Sequence, residues 1–500
     1  MHAVLSKAAL SHQGIVDGPV AAHFDLPERV LQFGTGAFLR GFAGFFVEQA
    51  NRVGVLNGRV VMVGSTGSGR ARRLNDQDGL YTLYVRGREN GRLVDRAHLM
   101  AAVSRALAAQ DQWADVLACA RNPALALVIS NTTEVGLTLD EDDRIDLAPP
   151  RSFPGKLTAV LYERARAFDY DPAKGLIILP CELVEDNGDQ LRRIVQVLAE
   201  RRALGADFIH WLGEANRFCN TLVDRIVPGT PGVEEAEVLY RRLGYRDDLL
   251  TVAEPYRLWV IEGGADLQAR LPLAGVDPGI VITEDITAYR ERKVRLLNGT
   301  HTLTVPAALL CGTETVYEAV EHPLVSRLVR RVLLHEIVPG LDAAPEMADA
   351  FAHEVLERFA NPFLRHVLLG ITFQQTAKMR VRVVPSLLGY VAKKKAVPPS
   401  MAFGFACFLL YQHPHHQQAF ANRPADDATA YWQAQWQAVD MHEDGQVHRF
   451  VARVGGAEDR WGARLDLVPQ FTEAVTAHLV RAWREGVPAA LEAHLRAVEP

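Results

Sequence analysis

Three polar residues, Lys293, Asn298 and His301, stand close together in the stretch KVRLLNGTH and have the side chains needed to handle a proton and a charged oxygen. A lysine that is screened from water, or that lies near another cation, has a lowered pKa and can serve as a general acid or base. Asparagine N–H groups can stabilise an oxyanion, and a histidine can hold a neighbouring hydroxyl. This set suits the interconversion of a carbonyl and an alcohol, in which hydride moves between a nicotinamide and carbon.

The same stretch is compatible with two local structures. Asn298-Gly299 between alternating Val, Leu and Thr is a strong signal for a β-hairpin, in which Lys293 and His301 would point to opposite faces. In an α-helix, at about 100° per residue, the three polar side chains fall within about 140° of one another. Gly299 would weaken that helix by about 1 kcal/mol relative to alanine. The local sequence leaves both structures open.

A glycine-rich turn offers a second kind of chemistry. The stretch GTGAFLRG follows the first predicted strand and opens a helix, where a backbone can approach a pyrophosphate closely. Leu39 stands where the dinucleotide-binding pattern has a third small residue, so the match is incomplete. The position between strand and helix still favours nucleotide binding, and the residues expected to bind are Gly34, Thr35, Gly36, Ala37 and Phe38.

The end of the second predicted strand lacks the acidic residue that usually binds a ribose 2′-hydroxyl. Ser65, Thr66, Ser68 and Arg70 occupy that region instead. Ser65 and Thr66 are expected to face the cofactor, and with Arg70 they would tolerate a 2′-phosphate. The sequence therefore predicts NAD as the cofactor and leaves NADP open.

Two kinds of element must position these residues. In the first half, short apolar runs are each followed by a polar turn and spaced by amphipathic segments, which predicts βαβ units and a mostly parallel sheet. From about residue 285 helical patterns dominate, for example over 325–337, 344–359, 402–412 and 467–485. We expect an α/β fold, with a Rossmann-type doubly wound domain over 1–285, a mostly α-helical domain over 286–500, and a cleft between them for a small molecule.

Composition argues against several other classes of protein. The net charge of −6, with no long basic run, makes nucleic acid and an anionic membrane poor partners. Five scattered cysteines with no CxxC pair suit a reducing compartment. The start, MHAVLSKAALSHQG, does not resemble a signal peptide, and the apolar stretch around 401–411 is too short to span a bilayer. We expect a cytoplasmic protein, either a monomer or a homo-oligomer.

A metal site is not expected. The histidines of His413-Pro-His415-His416 have no second cluster of ligands at a suitable spacing, so a polar loop is the better interpretation.

Several motifs follow one another along the chain. They are FGTGAFLRGF from Phe33, QDGLYTL from Gln77, SNTTEVGL from Ser130, EDNG from Glu185, LVDRIVP from Leu222, KVRLLNGTH from Lys293, NPFLRH from Asn361 and KMRVRVVPSLL from Lys378. In this order they resemble the long-chain, polyol-specific dehydrogenases of the mannitol dehydrogenase family, and the resemblance covers most of the chain. It implies a metal-independent enzyme with a Rossmann-type N-terminal domain and a helical C-terminal domain.

The resemblance also implies roles for individual residues. Lys293 would be the general acid/base, Asn187 and Asn298 would form an oxyanion hole, and His301 would contact the substrate or orient the lysine. In this family K-x4-N-G-x-H begins a helix of the second domain, which favours the helix over the hairpin. Further cofactor contacts are expected from the SNTTE stretch, at Asn131, Thr132 and Glu134.

Asp224, in the VDRI motif, would lie near the same site. The alternative is a structural aspartate that caps a helix and pairs with Arg225.

One departure from the polyol members concerns the substrate. Gly370 stands where members that reduce neutral ketoses carry an arginine, eight positions before the lysine that matches Lys378. The segment from Phe363 is more similar to the hexuronate branch of the family, as is PCELVEDNGDQL. A hexuronate carries a carboxylate, which a guanidinium can bind through two hydrogen bonds. Lys378 and Arg382 are therefore expected to bind the substrate, with an ordinary surface or interdomain role as the alternative for Arg382.

Taken together, the resemblance implies an NAD-dependent reduction of tagaturonate to altronate, with a small-molecule sugar acid as the partner. Fructuronate reduction and polyol oxidation are alternatives within the family. An alternative of another class is a catalytically silent protein that binds a nucleotide or a sugar acid. The intact set of Lys293, Asn298 and His301 argues against that last alternative.

Overall fold

The computed structural model describes residues 2–10, 21–65, 67–132, 134–342, 344–420, 422–424, 426–437 and 439–499. It divides into two compact units. The first comprises Met1–Arg86 and Leu93–Ile286, and the second comprises Gly87–Arg92 and Thr287–Pro500.

Twelve strands are present in the described residues. They are β1 (Glu28–Phe33), β2 (Arg59–Gly64), β3 (Tyr81–Glu89), β4 (Arg92–Met100), β5 (Val103–Ala108), β6 (Leu127–Ser130), β7 (Ile177–Pro180), β8 (Arg217–Phe218), β9 (Thr221–Asp224), β10 (Thr251–Ala253), β11 (Leu258–Glu262) and β12 (Ile280–Thr283). A six-stranded sheet has the order β5-β2-β1-β6-β7-β8, and its pairings are all parallel. This is the strand order of a doubly wound dinucleotide-binding sheet. Two three-stranded sheets accompany it, β10-β3-β4 and β12-β11-β9.

The strands of the large sheet are buried on both faces. In β2, Val60 and Met62 belong to one core cluster, whereas Val61 and Val63 belong to the other. Successive side chains of a strand point to opposite faces, so a strand covered on both sides needs an unbroken apolar run. The covering elements are α-helices, and those of the first unit span Lys7–Leu10, Ala37–Gly41, Ala43–Arg52, Gly69–Asp76, Trp113–Ala120, Phe153–Ala167, Asn187–Arg201, Ala206–Ala215, Val233–Leu243 and Ala265–Arg270.

The second unit is helical. Its α-helices span Thr287–Arg292, Thr300–Leu310, Val316–Glu321, Pro323–Arg330, Val338–Gly340, Pro345–Phe359, Leu368–Ile371, Gln375–Lys378, Val384–Lys394, Pro399–Tyr411, Pro414–Ala419, Thr429–Trp436, Asp444–Gly455, Glu458–Trp461, Phe471–Glu485 and Val487–Val498. Within the described residues, three π-helical segments interrupt them, at Lys293–Gly299, Arg331–Ile337 and Met379–Val383. The predicted fold class is confirmed, as are the four predicted helices, with ends shifted by a few residues.

No helix in the described ranges is long and apolar enough to cross a membrane. The most apolar of them, Pro399–Tyr411, is a core helix instead. Its residues from Ser400 to Tyr411 are all buried, and it packs against Thr300–Leu310 and Phe471–Glu485.

Titratable groups lie at the beginning of this core helix. The Glu336 carboxylate accepts the backbone N–H groups of Ser400 and Met401 at 2.8 and 2.7 Å. His494 Nε2 lies 3.1 Å from the Ser400 hydroxyl, and the His494 ring contacts that of His478 at 4.9 Å. Burial raises the pKa of Glu336 to about 7 and lowers the pKa of His494 to about 3 and that of His478 to about 4.

These shifts predict that acid destabilises the second unit. The folded pKa values of His494 and His478 lie below the ordinary value of 6.5, so the unfolded chain takes up more protons as the pH falls below about 6.5. Glu336 has the opposite effect on stability. Between pH 4.5, its ordinary pKa, and about pH 7, its pKa in the folded state, the folded protein retains the proton that the unfolded chain releases. The combined effect of the two histidines on stability exceeds that of Glu336. Each proton by which the unfolded and folded states differ changes the free energy of unfolding by about 1.4 kcal/mol per pH unit.

We therefore expect the melting temperature to fall between about pH 7 and about pH 5, and to fall less in His494→Gln. Scanning calorimetry of both proteins across that range checks this. Parallel curves of melting temperature against pH would contradict it.

Candidate functional site

The Lys293 motif lies in the middle of a continuous helical run. The run begins at Thr287 and ends at Leu310, and Lys293–Gly299 is its π-helical part. The hairpin is therefore wrong. The expectation that the motif begins a helix also needs correction, because an α-helical turn and a half precede Lys293.

The π-helical geometry changes which side chains share a face. A π-helix closes its turns with i→i+5 hydrogen bonds, so residues five positions apart lie closer to one side than they do in an α-helix. Lys293 and Asn298 are five positions apart, and both are half-buried. The backbone carbonyl of Asn298 accepts a hydrogen bond from the Thr302 hydroxyl at 2.7 Å. This bond does not involve the side-chain amide of Asn298. On the π-turn, Lys293 and Asn298 therefore lie closer to one side of the helix than they would on the predicted α-helix.

His301 is packed between two rings. It stacks on Phe359 with ring centroids 4.0 Å apart, and it meets His366 edge-on at 5.4 Å. Burial holds the pKa of His301 well below its usual range, and the charges of His366, Arg358 and Arg382 lower it further. His301 Nε2 is buried and has no hydrogen-bond partner within the described part of the chain. A neutral imidazole nitrogen can accept a hydrogen bond from a bound hydroxyl or, in the other tautomer, donate one to it.

Lys378 is the last residue before the π-segment Met379–Val383, and Arg382 lies within that segment. Lys378 Nζ donates to the Ile371 carbonyl at 3.1 Å. Burial lowers the pKa of Lys378, the charge of Arg382 lowers it further, and Asp426 opposes both. Burial also lowers the pKa of Arg382. Gly370 is exposed, and an added Cβ there would meet none of the described atoms within 4 Å.

Sequence reasoning missed two members of this group. Arg358 is only 4% exposed, and His366 is half-buried. Together with His301, Lys378 and Arg382 they form what we call the cationic group. Burial is the larger cause of the lowered pKa values of His301 and Lys378, and the charges of His366, Arg358 and Arg382 add to it at His301, as that of Arg382 does at Lys378. His366 is the last residue of the NPFLRH motif, which was not assigned a role at the site, and nothing in the sequence marked Arg358 as buried.

In the first unit the glycine-rich turn has the backbone expected of a close approach. Gly34 has φ +123°, and a Cβ there would lie 3.0 Å from both the Asn131 carbonyl oxygen and Leu39 Cδ1. Leu39 is buried in the core, which explains why it can replace a third small residue. A Cβ at Gly36 would meet no described atom within 4 Å, so the backbone there is open on that side.

The other residues of this turn are ordered by the core. The carbonyl of Thr35 accepts Arg40 Nη1 at 2.6 Å. Ala37 and Phe38 open the helix Ala37–Gly41, and the Phe38 ring stacks on Phe42 at 5.1 Å.

At the end of β2, Ser65 is half-buried and Arg70 is exposed on the helix Gly69–Asp76. Thr66 lies outside the described residues, as does the side chain of Glu134.

A buried carboxylate joins the loops that follow β6 and β7. Glu182 accepts the Ser130 hydroxyl at 3.0 Å and both the backbone N–H and the hydroxyl of Thr132 at 2.9 and 3.0 Å. Asn131 Nδ2 donates to the Cys181 carbonyl at 2.6 Å. Burial raises the pKa of Glu182, although these hydrogen bonds oppose the shift. The loop with Asn131 and Thr132 is thereby fixed beside Gly34.

Asn187 is also part of this network. Its side chain is 1% exposed, and its Nδ2 donates to the carbonyls of Pro180, Glu182 and Thr221 at 3.0–3.1 Å. Its Oδ1 accepts the Thr221 N–H at 2.9 Å. Asn187 therefore links the end of β7 to β9. To donate to an oxyanion, its amide would have to break one of its hydrogen bonds to these backbone carbonyls.

Asp224 is buried, 5% exposed, at the end of β9. Asp224 is the last residue of its strand, and the next helix along the chain begins at Val233, so Asp224 does not cap the helix that follows it. The Arg225 guanidinium donates to the carbonyls of Glu254 and Gly41.

In the described ranges no group of three or more His, Cys, Asp and Glu residues could hold a metal ion.

Comparisons with known proteins identify the family of this chain. The family model described as the mannitol dehydrogenase Rossmann domain matches residues 28–275, and the mannitol dehydrogenase C-terminal domain matches residues 285–483. The altronate oxidoreductase of Bacillus subtilis (strain 168) is 41% identical over 466 residues, which cover 93% of this chain and 95% of that protein. The altronate oxidoreductase of Yersinia pestis bv. Antiqua (strain Nepal516) is 39% identical over 484 residues, which cover 96% of this chain and 98% of that protein.

Two solved structures share the fold. A substrate-free D-sorbitol dehydrogenase has a TM-score of 0.81 at 24% identity, over 98% of this chain and 100% of that one. The mannitol 2-dehydrogenase of Pseudomonas fluorescens, solved with NAD and D-mannitol, has a TM-score of 0.69 at 21% identity, over 98% of this chain and 99% of that one.

Proposed function

Because the chain belongs to the mannitol dehydrogenase family, we propose that it is an oxidoreductase that acts on a CH–OH group, reducing tagaturonate to altronate with NADH. The relatives named altronate oxidoreductase support this substrate over their nearly full length. The observation in this chain that carries the choice of a sugar acid is the cationic group.

A neutral polyol offers no carboxylate to Arg382 or Lys378, whereas a sugar acid does. Arg358 and Arg382 lie near enough to His301 to depress its pKa, and Arg382 does the same to Lys378. Half-buried like charges are costly, because the interior screens them less than water does. A substrate carboxylate relieves that cost and can take two hydrogen bonds from one guanidinium. A hexuronate brings this carboxylate, whereas fructose and mannitol do not.

The proposed nucleotide site is in the first unit. The open backbone at Gly36 and the tight turn at Gly34 suit a pyrophosphate, and the loop with Asn131 and Thr132 is held beside that turn. The cofactor proposed is NAD. No acidic residue directly follows β2, where Ser65 and Arg70 lie. NADPH must therefore be tested beside NADH.

The proposed chemistry is a proton transfer coupled to hydride transfer. When bound, NADH supplies the hydride to the ketone carbon. Lys293 Nζ, protonated, gives its proton to the carbonyl oxygen, and the product is the alcohol. The Asn298 amide donates to that oxygen as negative charge develops on it, with Asn187 as the second proposed donor. His301 holds a neighbouring hydroxyl through its buried nitrogen.

The test is steady-state oxidation of NADH, and separately of NADPH, with tagaturonate, fructuronate and fructose in parallel. We expect the highest kcat/KM with tagaturonate and NADH. A preference for fructose would overturn the carboxylate argument, and a preference for fructuronate would move the proposal to the other hexuronate. Binding of NADH without turnover of any of the three would favour a silent binding protein.

A further inference from the structure

Two π-helical segments of the second unit pack directly against each other. One carries Lys293 and Asn298, and the other, Met379–Val383, follows Lys378 directly and carries Arg382. Gly299 makes the contact close, since a Cβ on it would lie 2.9 Å from the carbonyl oxygen of Arg382. The two segments that hold the proposed proton donor and the proposed carboxylate ligands are therefore neighbours.

One side chain joins them. Arg295 points from the first π-segment to the second, and its Nη1 donates to the carbonyl of Val381. Its Nη2 forms an ion pair with Glu291 Oε2 at 2.7 Å, one turn earlier in the same helical run. The Arg295 side chain is only 13% exposed, whereas that of Glu291 is 49% exposed. Arg295 thus pairs with Glu291 in its own helical run and donates a hydrogen bond to the backbone of the neighbouring π-segment.

The position of that backbone group is informative. Val381 is the middle residue of Met379–Val383, and its own side chain is 54% exposed, so the segment is not anchored there by apolar packing. A π-helical turn is a rare and locally irregular part of a helix, and side-chain hydrogen bonds to its backbone help to fix it. A hydrogen bond from a charged donor is among the stronger ones available for this.

We infer that Arg295 is a positioning residue, which sets the distance between the Lys293 turn and the Lys378–Arg382 turn. Its guanidinium is engaged by Glu291 and the Val381 carbonyl, so the role we assign to it involves no contact with the substrate or the cofactor. The inference rests on the proposed function, in which Lys293 protonates the same molecule whose carboxylate Arg382 binds. A shift of about 1 Å between such groups costs up to roughly 100-fold in rate.

The test compares Arg295→Met with two other variants. Arg295→Met retains most of the apolar stem and removes every donor, whereas Arg295→Lys retains the charge and a donor. The control is Arg496→Met, because Arg496 pairs with Glu492 at the same i,i+4 spacing in a different helix. For Arg295→Met we expect kcat/KM for tagaturonate to fall roughly 10- to 100-fold, with KM raised and kcat lowered together. Arg295→Lys should recover part of the loss, and Arg496→Met should match the wild type.

Two further measurements separate positioning from folding. The dissociation constant of NADH and the melting temperature should stay near the wild-type values in Arg295→Met, and amide hydrogen exchange in Met379–Val383 should become faster. Wild-type kcat/KM in Arg295→Met, or unchanged exchange in that segment, would overturn the inference. A wild-type protein that reduces no hexuronate would overturn the proposed function instead, and the exchange measurement would still decide whether Arg295 holds the second π-segment.

Discussion

Replacing Lys293 by alanine is expected to lower kcat by about 10²- to 10⁴-fold, which is the usual contribution of a positioned general acid. The dissociation constant of NADH should stay nearly unchanged, because the substitution leaves the proposed nucleotide turn at Gly34 and Gly36 intact. Steady-state kinetics with tagaturonate gives kcat, and a fluorescence titration gives the NADH affinity.

Three controls make the result specific to the proton. Lys293→Arg preserves the positive charge but not a proton that can be released, since a guanidinium has a pKa above about 12; it should be nearly as slow as the alanine variant. A small primary amine added to the alanine variant should restore part of the activity. Lys393, an exposed lysine paired with Asp342 at 2.9 Å, provides the matched substitution and should be neutral. Wild-type turnover in Lys293→Ala would remove lysine from the mechanism.

The local structure of the Lys293 motif shows where sequence reasoning is limited. Asn298-Gly299 with flanking Val and Thr favours a hairpin by propensity, yet the chain is helical there. Packing decides the outcome, because Gly299 allows the second π-segment to approach within contact of its backbone. No residue type has a strong preference for the π-helix, so neither π-segment could be predicted from local sequence.

The large sheet was easier to predict than the site. Runs such as VVMV in β2 are apolar because both faces of the strand are covered, and this pattern is visible in the sequence. Arg358 is different, since an arginine in a helix usually lies at the surface, and only the folded chain shows it to be buried. The hydrogen bonds of Asn187 to Thr221 likewise join residues 34 positions apart, which local patterns do not indicate.

The second large effect concerns the substrate carboxylate. Replacing Arg382 by glutamine is expected to raise KM for tagaturonate roughly 10- to 150-fold, because a hydrogen bond to a charged group contributes about 1.5–3 kcal/mol. kcat should change much less, since the carboxylate is bound in the ground state and the transition state alike. Initial rates over a range of tagaturonate concentrations, with NADH held saturating, give both constants.

The neighbouring arginine provides the control for this substitution. Arg380 belongs to the same π-segment, is exposed, and donates to the Asp459 carbonyl, so Arg380→Gln removes the same charge two positions away without emptying the cationic group. The backbone contact with Gly299 uses the carbonyl of Arg382 and survives either substitution. If KM rises equally in the two variants, net charge near the site is responsible rather than a specific contact. If only Arg382→Gln raises KM, and the dependence of KM on salt weakens with it, the guanidinium binds the carboxylate, and the choice of a sugar acid over a neutral ketose follows from that charge.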